Sequence, residues 1–172
     1  MVLQKIGETV TKKPLAIVVG VIVITILMLA QMALNPQDGT VSQSSFLPDN
    51  EDYLFGIDLY NYHYYWEAHE AWEGLWIASV RNSSEHRFLQ GLIKVGAALL
   101  KIRMAEYEIQ DLIGARNLAR SGIDLLSKVG IDQFMGLDIP KFLESYQDFV
   151  NPIYDDQIPI IDRKTPRIEL MI

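Results

Sequence analysis

The residues most able to do chemistry lie in one segment rich in aromatic, histidine and glutamate side chains. Residues 58–76 read DLYNYHYYWEAHEAWEGLW and contain four tyrosines, three tryptophans, two histidines and three glutamates. On a helix, His69 and Glu73 lie one turn apart, so an imidazole and a carboxylate can hydrogen-bond. An apolar surrounding strengthens such a bond, and pairs of this kind serve general acid-base catalysis. The candidate catalytic residues are therefore His69 and Glu73, with Glu70 beside them.

The same pair has a structural interpretation that the sequence leaves open. At about 100° per residue, one side of the predicted helix carries Tyr65, Trp66, His69, Glu73 and Trp76. A buried and fully hydrogen-bonded pair of His69 and Glu73 would fix the register of the helix, with the aromatic residues as core. Glu67 and Glu70 lie on another side, where glutamates usually face solvent.

Templates for metal binding are only partly met. Metalloprotease helices carry H-E-x-x-H, and this chain has Glu73 where the second histidine would stand. Di-iron bundles need Glu-x-x-His on two helices, and Trp66 stands three residues before His69. We therefore predict neither a metal site nor a cofactor, although a site built from His69, Glu73 and a residue of another helix stays open. The chain has no cysteine, which excludes cysteine-ligated zinc, disulfides and a cysteine nucleophile.

The next predicted helix offers polar side chains that could complete a pocket. Its polar stripe is flanked by Gly91 and Ala98, which leave room for another helix to approach. A glycine inside a helix costs about 1 kcal/mol relative to alanine, so this space should be used. We expect the stripe to face the side of His69 and Glu73. The candidate ligand-binding residues are Trp66, Trp76, Arg87, Gln90 and Lys94.

The elements that must position these residues are helices. Hydrophobic spacing and capping residues predict helices at about 52–60, 64–80, 85–104, 107–129 and 140–150. Residues 82–84 supply N-cap chemistry, Gly130 a C-terminal stop, and Asp138 a cap ahead of Pro140. No long alternating run competes, so the fold class is all-α: a compact helical bundle at 52–150 preceded by one N-terminal transmembrane helix.

The transmembrane helix is predicted at residues 14–34. Residues 15–33 read LAIVVGVIVITILMLAQMA, and about 20 such residues span a hydrocarbon core of roughly 30 Å. A cleaved signal peptide is the alternative, but this apolar run exceeds the usual signal length and no A-x-A site ends it.

The charges around that helix predict its direction. Lys5, Lys12 and Lys13 precede it, and the first basic residue after it is Arg81. By the positive-inside rule, residues 1–13 lie in the cytoplasm and the helical domain lies on the non-cytoplasmic side.

The rest of the chain is acidic and ends in a proline-rich tail. Residues 35–51 predict a flexible linker, and residues 151–172 an extended tail that drapes over the bundle or reaches a partner. Residues 35–172 carry 12 basic and 21 acidic side chains. This charge opposes binding to nucleic acid and to anionic lipid, so we predict no nucleic-acid partner and attachment to the membrane by the anchor alone.

Two motifs resemble the domain-of-unknown-function 309 family, whose members are small, mostly bacterial, all-helical proteins. The chain reads EAHEAWE at 67–73 and FLQGLI at 88–93, followed by Gly114 and Ala115, and the likeness covers about 52–129. The resemblance implies a helical bundle and no assigned activity. The family's signature positions correspond to Glu67, His69, Glu70, Glu73, Trp76, Arg87, Gln90 and Gly91. The chain departs from the family at His63, where relatives often have glycine, and in its membrane anchor, because relatives are usually soluble and cytoplasmic.

Two functions follow as expectations, and the sequence leaves open whether the protein is an enzyme. The first is a non-catalytic, single-pass membrane protein whose acidic domain binds a partner protein or a second copy, as an accessory subunit of a membrane complex. The second is a small-ligand or metal-dependent enzyme that uses His69 and Glu73.

Overall fold

The structure, a computed structural model, describes residues 50–171. The elements in order are α1 (Glu51–Asn61), α2 (Tyr65–Ala78), α3 (Ser84–Ala105), α4 (Asp111–Ser127), β1 (Gln133–Phe134), β2 (Leu137–Asp138), α5 (Ile139–Val150) and a 3-10 helix (Asn151–Asp155). The described part is thus an all-helical bundle with one minimal hairpin, which confirms the predicted all-α fold for this range.

The predicted transmembrane helix at 14–34 lies outside the described residues, as do residues 1–13 and nearly all of the 35–51 linker. Between residues 50 and 171, no helix is both long and apolar enough to cross a bilayer.

Side-chain caps start two of the helices where the sequence predicts them. Ser83 Oγ accepts a hydrogen bond from the backbone N–H of His86 at 3.1 Å, which begins α3. Asp138 Oδ1 accepts one from the backbone N–H of Lys141 at 3.0 Å, which begins α5. Each cap satisfies a backbone donor that has no partner within the first turn of its helix.

The helix α3 is the centre of the bundle, and glycines let α4 pack closely against it. A Cβ atom on Gly91 would lie 2.6 Å from Leu126 Cγ, and one on Gly122 would lie 2.7 Å from Val95 Cγ1. The close approach predicted from Gly91 is therefore present, and the helix that uses the space is α4.

The helices α1 and α2 are locked together by a buried tryptophan. Trp72 is fully buried, and its indole N–H donates to the carbonyl of Tyr53 at 3.1 Å. The ring crosses α1 at Gly56, where a Cβ atom would lie 2.1 Å from Trp72 Nε1. The Tyr53 hydroxyl donates to the carbonyl of Met135 at 2.9 Å and so ties α1 to the hairpin.

The start of the fourth helix differs from the prediction. The helix α4 begins at Asp111, whereas the sequence predicts a start near 107. Residues 106–110 form turns, and the side chains of Tyr107 and Ile109 are exposed. Ile109 has the apolar character and helical spacing that predict the earlier start, but its side chain is 59% exposed and lies outside the helix.

The hairpin and the chain end complete the bundle. The hairpin was not predicted, and its turn at Met135 and Gly136 has positive φ at both residues. The 3-10 helix replaces the start of the tail predicted to be extended, and Ile153 in it is fully buried. Ile168 is buried as well, and Leu170 forms a bridge with Leu137. As far as residue 171, the tail drapes over the bundle.

Candidate functional site

The start of α2 is fixed against the end of α3. His63 has a φ of 67° and forms the break between α1 and α2. Its carbonyl accepts a hydrogen bond from Arg103 Nη1 at 3.2 Å, and its ring stacks on Tyr65 at 5.8 Å between centroids. Partial burial and the nearby Arg103 guanidinium lower the pKa of the His63 imidazole.

The structure brings His69 and Glu73 together, as their spacing predicts. His69 Nε2 lies 3.7 Å from Glu73 Oε1, and the two side chains are 29% and 18% exposed. That distance is too long for a hydrogen bond, so the contact is an ion pair only when the imidazole is protonated. The ring of Trp66 meets the His69 ring edge-on at 5.5 Å.

The third ligand that would turn this pair into a metal site is not found in the described range. Among residues 50–171, no three histidine, aspartate or glutamate side chains are grouped closely enough to hold an ion.

Only some of the aromatic residues of α2 lie beside this pair, which corrects the predicted grouping: Trp66 contacts His69, but Tyr65 is in the core. Tyr65 is 1% exposed and faces the core with Ala68 and Trp72, whereas Trp66 is 36% exposed. The core-facing arc of α2 runs through residues 65, 68 and 72, so Trp66, two helical steps from Ala68, points outward.

We name the solvent-facing row of Trp66, Glu70, Glu73 and Ile77 the α2 outer face. These residues follow the spacing i, i+4, i+7, i+11 that places side chains on one side of a helix. Ile77 is 65% exposed. No lysine or arginine within residues 50–171 forms an ion pair with Glu70, Glu73 or the adjacent Glu67. The outer face therefore combines exposed apolar side chains with the exposed, unpaired Glu70 carboxylate and the part-buried Glu73, whose only ion-pair partner is His69.

The junction of α2 with α3 contains a closed chain of hydrogen bonds. The Trp76 indole N–H donates to His86 Nε2 at 3.1 Å. Ser79 Oγ lies 2.9 Å from His86 Nδ1 and donates to the Trp76 carbonyl at 2.6 Å. Because an indole nitrogen can only donate, His86 Nε2 has no proton, and Nδ1–H donates to Ser79.

Ser79 and His86 cannot act as a serine nucleophile and its histidine base. His86 Nδ1, the nitrogen facing Ser79, already carries its proton, and the lone pair of Nε2 is taken by Trp76. Burial, with smaller effects from Arg81 and Arg87, lowers the pKa of His86 and keeps the ring neutral. These hydrogen bonds among Trp76, His86 and Ser79 therefore have a structural role, which is to orient Trp76.

His86 was not among the residues predicted from the sequence. The only sequence signal for it was its position three residues after the Ser83 cap, which places it in the first turn of α3. Its partners lie across the turn between two helices, and helical spacing cannot reveal such a contact.

Within residues 50–171, no side chain of the polar stripe of α3 forms a hydrogen bond or ion pair with His69 or Glu73. Lys94 Nζ donates to Ser121 Oγ on α4 at 2.7 Å, so its ammonium group is held away from α2. Partial burial lowers the pKa of Lys94. Gln90 is half-buried, and it lies one turn along α3 from His86, just as Glu73 lies one turn back along α2 from Trp76. Arg87 is half-buried and makes no hydrogen bond within residues 50–171.

The comparisons with known proteins identify a family without an assigned activity. The model of the family described as a domain of unknown function, DUF309, matches residues 53–110, about a third of the chain. The match spans α1, α2 and α3, and it confirms the resemblance predicted from the two motifs. No curated protein matches the chain.

Proposed function

We propose that this chain, whose residues 53–110 belong to the DUF309 family, is a single-pass membrane protein that binds a partner protein through the α2 outer face. It acts as an accessory subunit of a membrane complex, and its partner is another protein or a second copy of the chain. The apolar run at 15–33 supplies the anchor, and the lysines before it place the helical domain on the non-cytoplasmic side. Nucleic acid is not a partner, since the net charge of the chain is −7.

The observation that carries this proposal is the composition of the α2 outer face. Trp66 and Ile77 expose apolar surface at its two ends; between them Glu70 has no ion-pair partner within residues 50–171, and the only such partner of Glu73 is His69. Exposed apolar side chains beside unpaired charges are typical of surfaces that bind other proteins. The complementary partner surface carries lysine or arginine around an apolar centre.

A charge-reversal comparison tests the binding function. Full-length protein would be purified in mild detergent after gentle crosslinking, as wild type, as Glu70→Lys and as Glu144→Lys. Glu144 is an exposed glutamate on α5 and serves as the matched control. We expect a discrete complex with the wild type and with Glu144→Lys, and its loss with Glu70→Lys. A monomer with nothing attached, or equal behaviour of the two variants, would refute the proposal.

Alkaline extraction of membranes tests the anchor separately. We expect the full chain to stay with the membrane pellet and a variant without residues 14–34 to be released. Release of the full chain would remove the anchor from the proposal.

The alternative function is a small-ligand or metal-dependent enzyme that uses His69 and Glu73. The observation in its favour is that both side chains are part-buried and lack a hydrogen bond to each other. A zinc titration monitored by the NMR signals of the histidine side chains tests this alternative. A saturable shift of the His69 signal alone, which Glu73→Gln abolishes, would favour it.

A further inference from the structure

A groove outside α2 is formed by α4, α5 and the 3-10 helix. Its volume is about 340 Å³, within the range of roughly 300–1,000 Å³ that is usual for small-molecule sites. Its lining residues are Arg120, Ile123, Gln147, Val150, Asn151 and Tyr154. None of them belongs to the α2 outer face, so an inference about this groove is independent of the proposed function.

The wall made by the 3-10 helix is fixed in place. Arg116 Nε donates to the carbonyl of Ile153 at 2.7 Å, and the same guanidinium pairs with Asp156. Ile153 and Val150 are buried beneath this segment. The 3-10 helix is thus fastened to α4, and the groove is formed before a ligand arrives.

The polar groups of the groove are unused within the described part of the chain. Four lining residues are exposed to solvent, and their side chains make no hydrogen bond or ion pair within residues 50–171: Arg120, Gln147, Asn151 and Tyr154. Two nearby carboxylates have other partners, since Asp124 pairs with Lys128 and Asp156 with Arg116, whereas the exposed Asp148 and Asp155 form no ion pair within residues 50–171. The groove therefore offers one free guanidinium and three neutral hydrogen-bonding groups.

We propose that this groove binds a monocarboxylate attached to an apolar group. The Arg120 guanidinium receives the carboxylate as a two-pronged donor, and the amides of Gln147 and Asn151 with the Tyr154 hydroxyl complete its hydrogen bonds. The apolar group of the ligand covers Ile123, which is partly exposed, whereas Val150 is buried. The groove contains a single cation, Arg120, and the net charge of the whole chain is −7. Both favour a singly charged ligand over a polyphosphate.

A matched pair of probes tests this chemistry. The full chain, in nanodiscs of a zwitterionic lipid and with labelled isoleucine methyl groups, would be titrated with phenylbutyrate and with its neutral amide. We expect a saturable shift of the Ile123 methyl signal with the acid. The amide should bind at least about tenfold more weakly, since hydrogen bonds to a charged group contribute more than a factor of ten in affinity.

Two arginine variants identify the cation. Arg120→Gln should weaken phenylbutyrate binding by about tenfold or more, because it removes the charged donor. Arg163→Gln, at an exposed arginine outside the groove, should leave binding unchanged. Absence of an Ile123 shift, equal binding of acid and amide, or an unaffected Arg120→Gln would overturn the proposal.

Peptides separate the two sources of such a carboxylate. A short acetylated peptide with a free carboxylate on a terminal leucine would be compared with its amidated form. Binding of the free-acid peptide in addition to phenylbutyrate supports a protein C-terminus as the natural ligand, and binding of phenylbutyrate without the peptide supports a small metabolite.

Discussion

The inner and outer sides of α2 use polar side chains in opposite ways. On the inner side and at the α3 junction, the indole of Trp72 bonds to the Tyr53 carbonyl, and that of Trp76 bonds to His86. On the outer face, Glu73 stays 3.7 Å from the neighbouring His69, and Glu70 has no ion-pair partner in the described range. One helix thus carries polar groups that folding uses and polar groups that it leaves available.

This difference has an energetic consequence. A buried donor that loses its partner costs about 1–3 kcal/mol, whereas a substitution at an exposed site usually changes stability by less than about 0.5 kcal/mol. Changes on the inner side should therefore lower the free energy of unfolding. Changes on the outer face should leave it intact and act on binding.

The largest expected effect compares two glycines. Gly56→Ala should destabilise the protein by about 3 kcal/mol, because the new Cβ collides with the Trp72 ring. Gly74, on the exposed side of α2, has open space around it, and Gly74→Ala should stabilise by up to about 1 kcal/mol. Urea unfolding followed by circular dichroism measures both. A mild Gly56→Ala effect would show that Trp72 does not lock α1 to α2.

The second comparison is between two histidines: His86, at the junction of α2 with α3, and His69, which lies beside Glu73. His86→Ala should cost about 1–2 kcal/mol, because Trp76 loses its acceptor and Ser79 loses a donor. His69→Ala should cost less than about 0.5 kcal/mol, since its only polar contact is long and part-exposed. The same unfolding measurement decides. Equal losses would mean that His69 belongs to the folded core, as the structural interpretation of the sequence holds.

A smaller effect distinguishes paired from unpaired buried tyrosines. Tyr53→Phe should cost about 1 kcal/mol, because its hydroxyl donates to Met135. Tyr65→Phe should be neutral or stabilising, since the buried Tyr65 hydroxyl has no hydrogen-bond partner among residues 50–171. Thermal unfolding midpoints check both. A loss at Tyr65→Phe as large as that at Tyr53→Phe would show that a water molecule or another group satisfies this hydroxyl.

The smallest effect is a pH dependence. The pKa of His86 is lowered from its ordinary value of 6.5, so below that value the unfolded chain binds a proton that the folded chain does not. Stability should therefore be complete above about pH 6.5 and fall as the pH drops toward the folded-state pKa. His63, with a pKa lowered in the same direction, adds to the fall.

Unfolding at about pH 7.5 and about pH 5.5 measures this loss, which His86→Gln should reduce. A loss of the same size in that variant would assign the effect to other groups.

The sequence predicted the helices because their signals are local. The caps at Ser83 and Asp138 and the apolar spacing of α3 act within a few residues of the chain. The hairpin escaped prediction because strands of two residues are too short to show alternation. The fourth helix was begun too early because an exposed isoleucine at 109 has the same spacing as a buried one.

The candidate site was predictable only within one helix. Spacing on α2 placed His69 beside Glu73, and the i, i+4 contact is present. Contacts between helices could not be predicted from spacing within one helix. Lys94 hydrogen-bonds to Ser121 rather than facing the pair of His69 and Glu73, and His86 contacts Ser79 across the junction of α2 with α3. Such partners depend on the rotation of each helix about its axis, which packing of the whole bundle decides.

The most direct test of the central claim is photo-crosslinking in native membranes. A photoreactive amino acid would replace Ile77 on the α2 outer face or, as control, Ile113 on α4; the two isoleucines are 65% and 61% exposed. We predict a crosslinked species of defined mass from position 77 and none from position 113. No product at position 77, or the same product from both positions, would contradict the account that α2 keeps its outer face free for a partner.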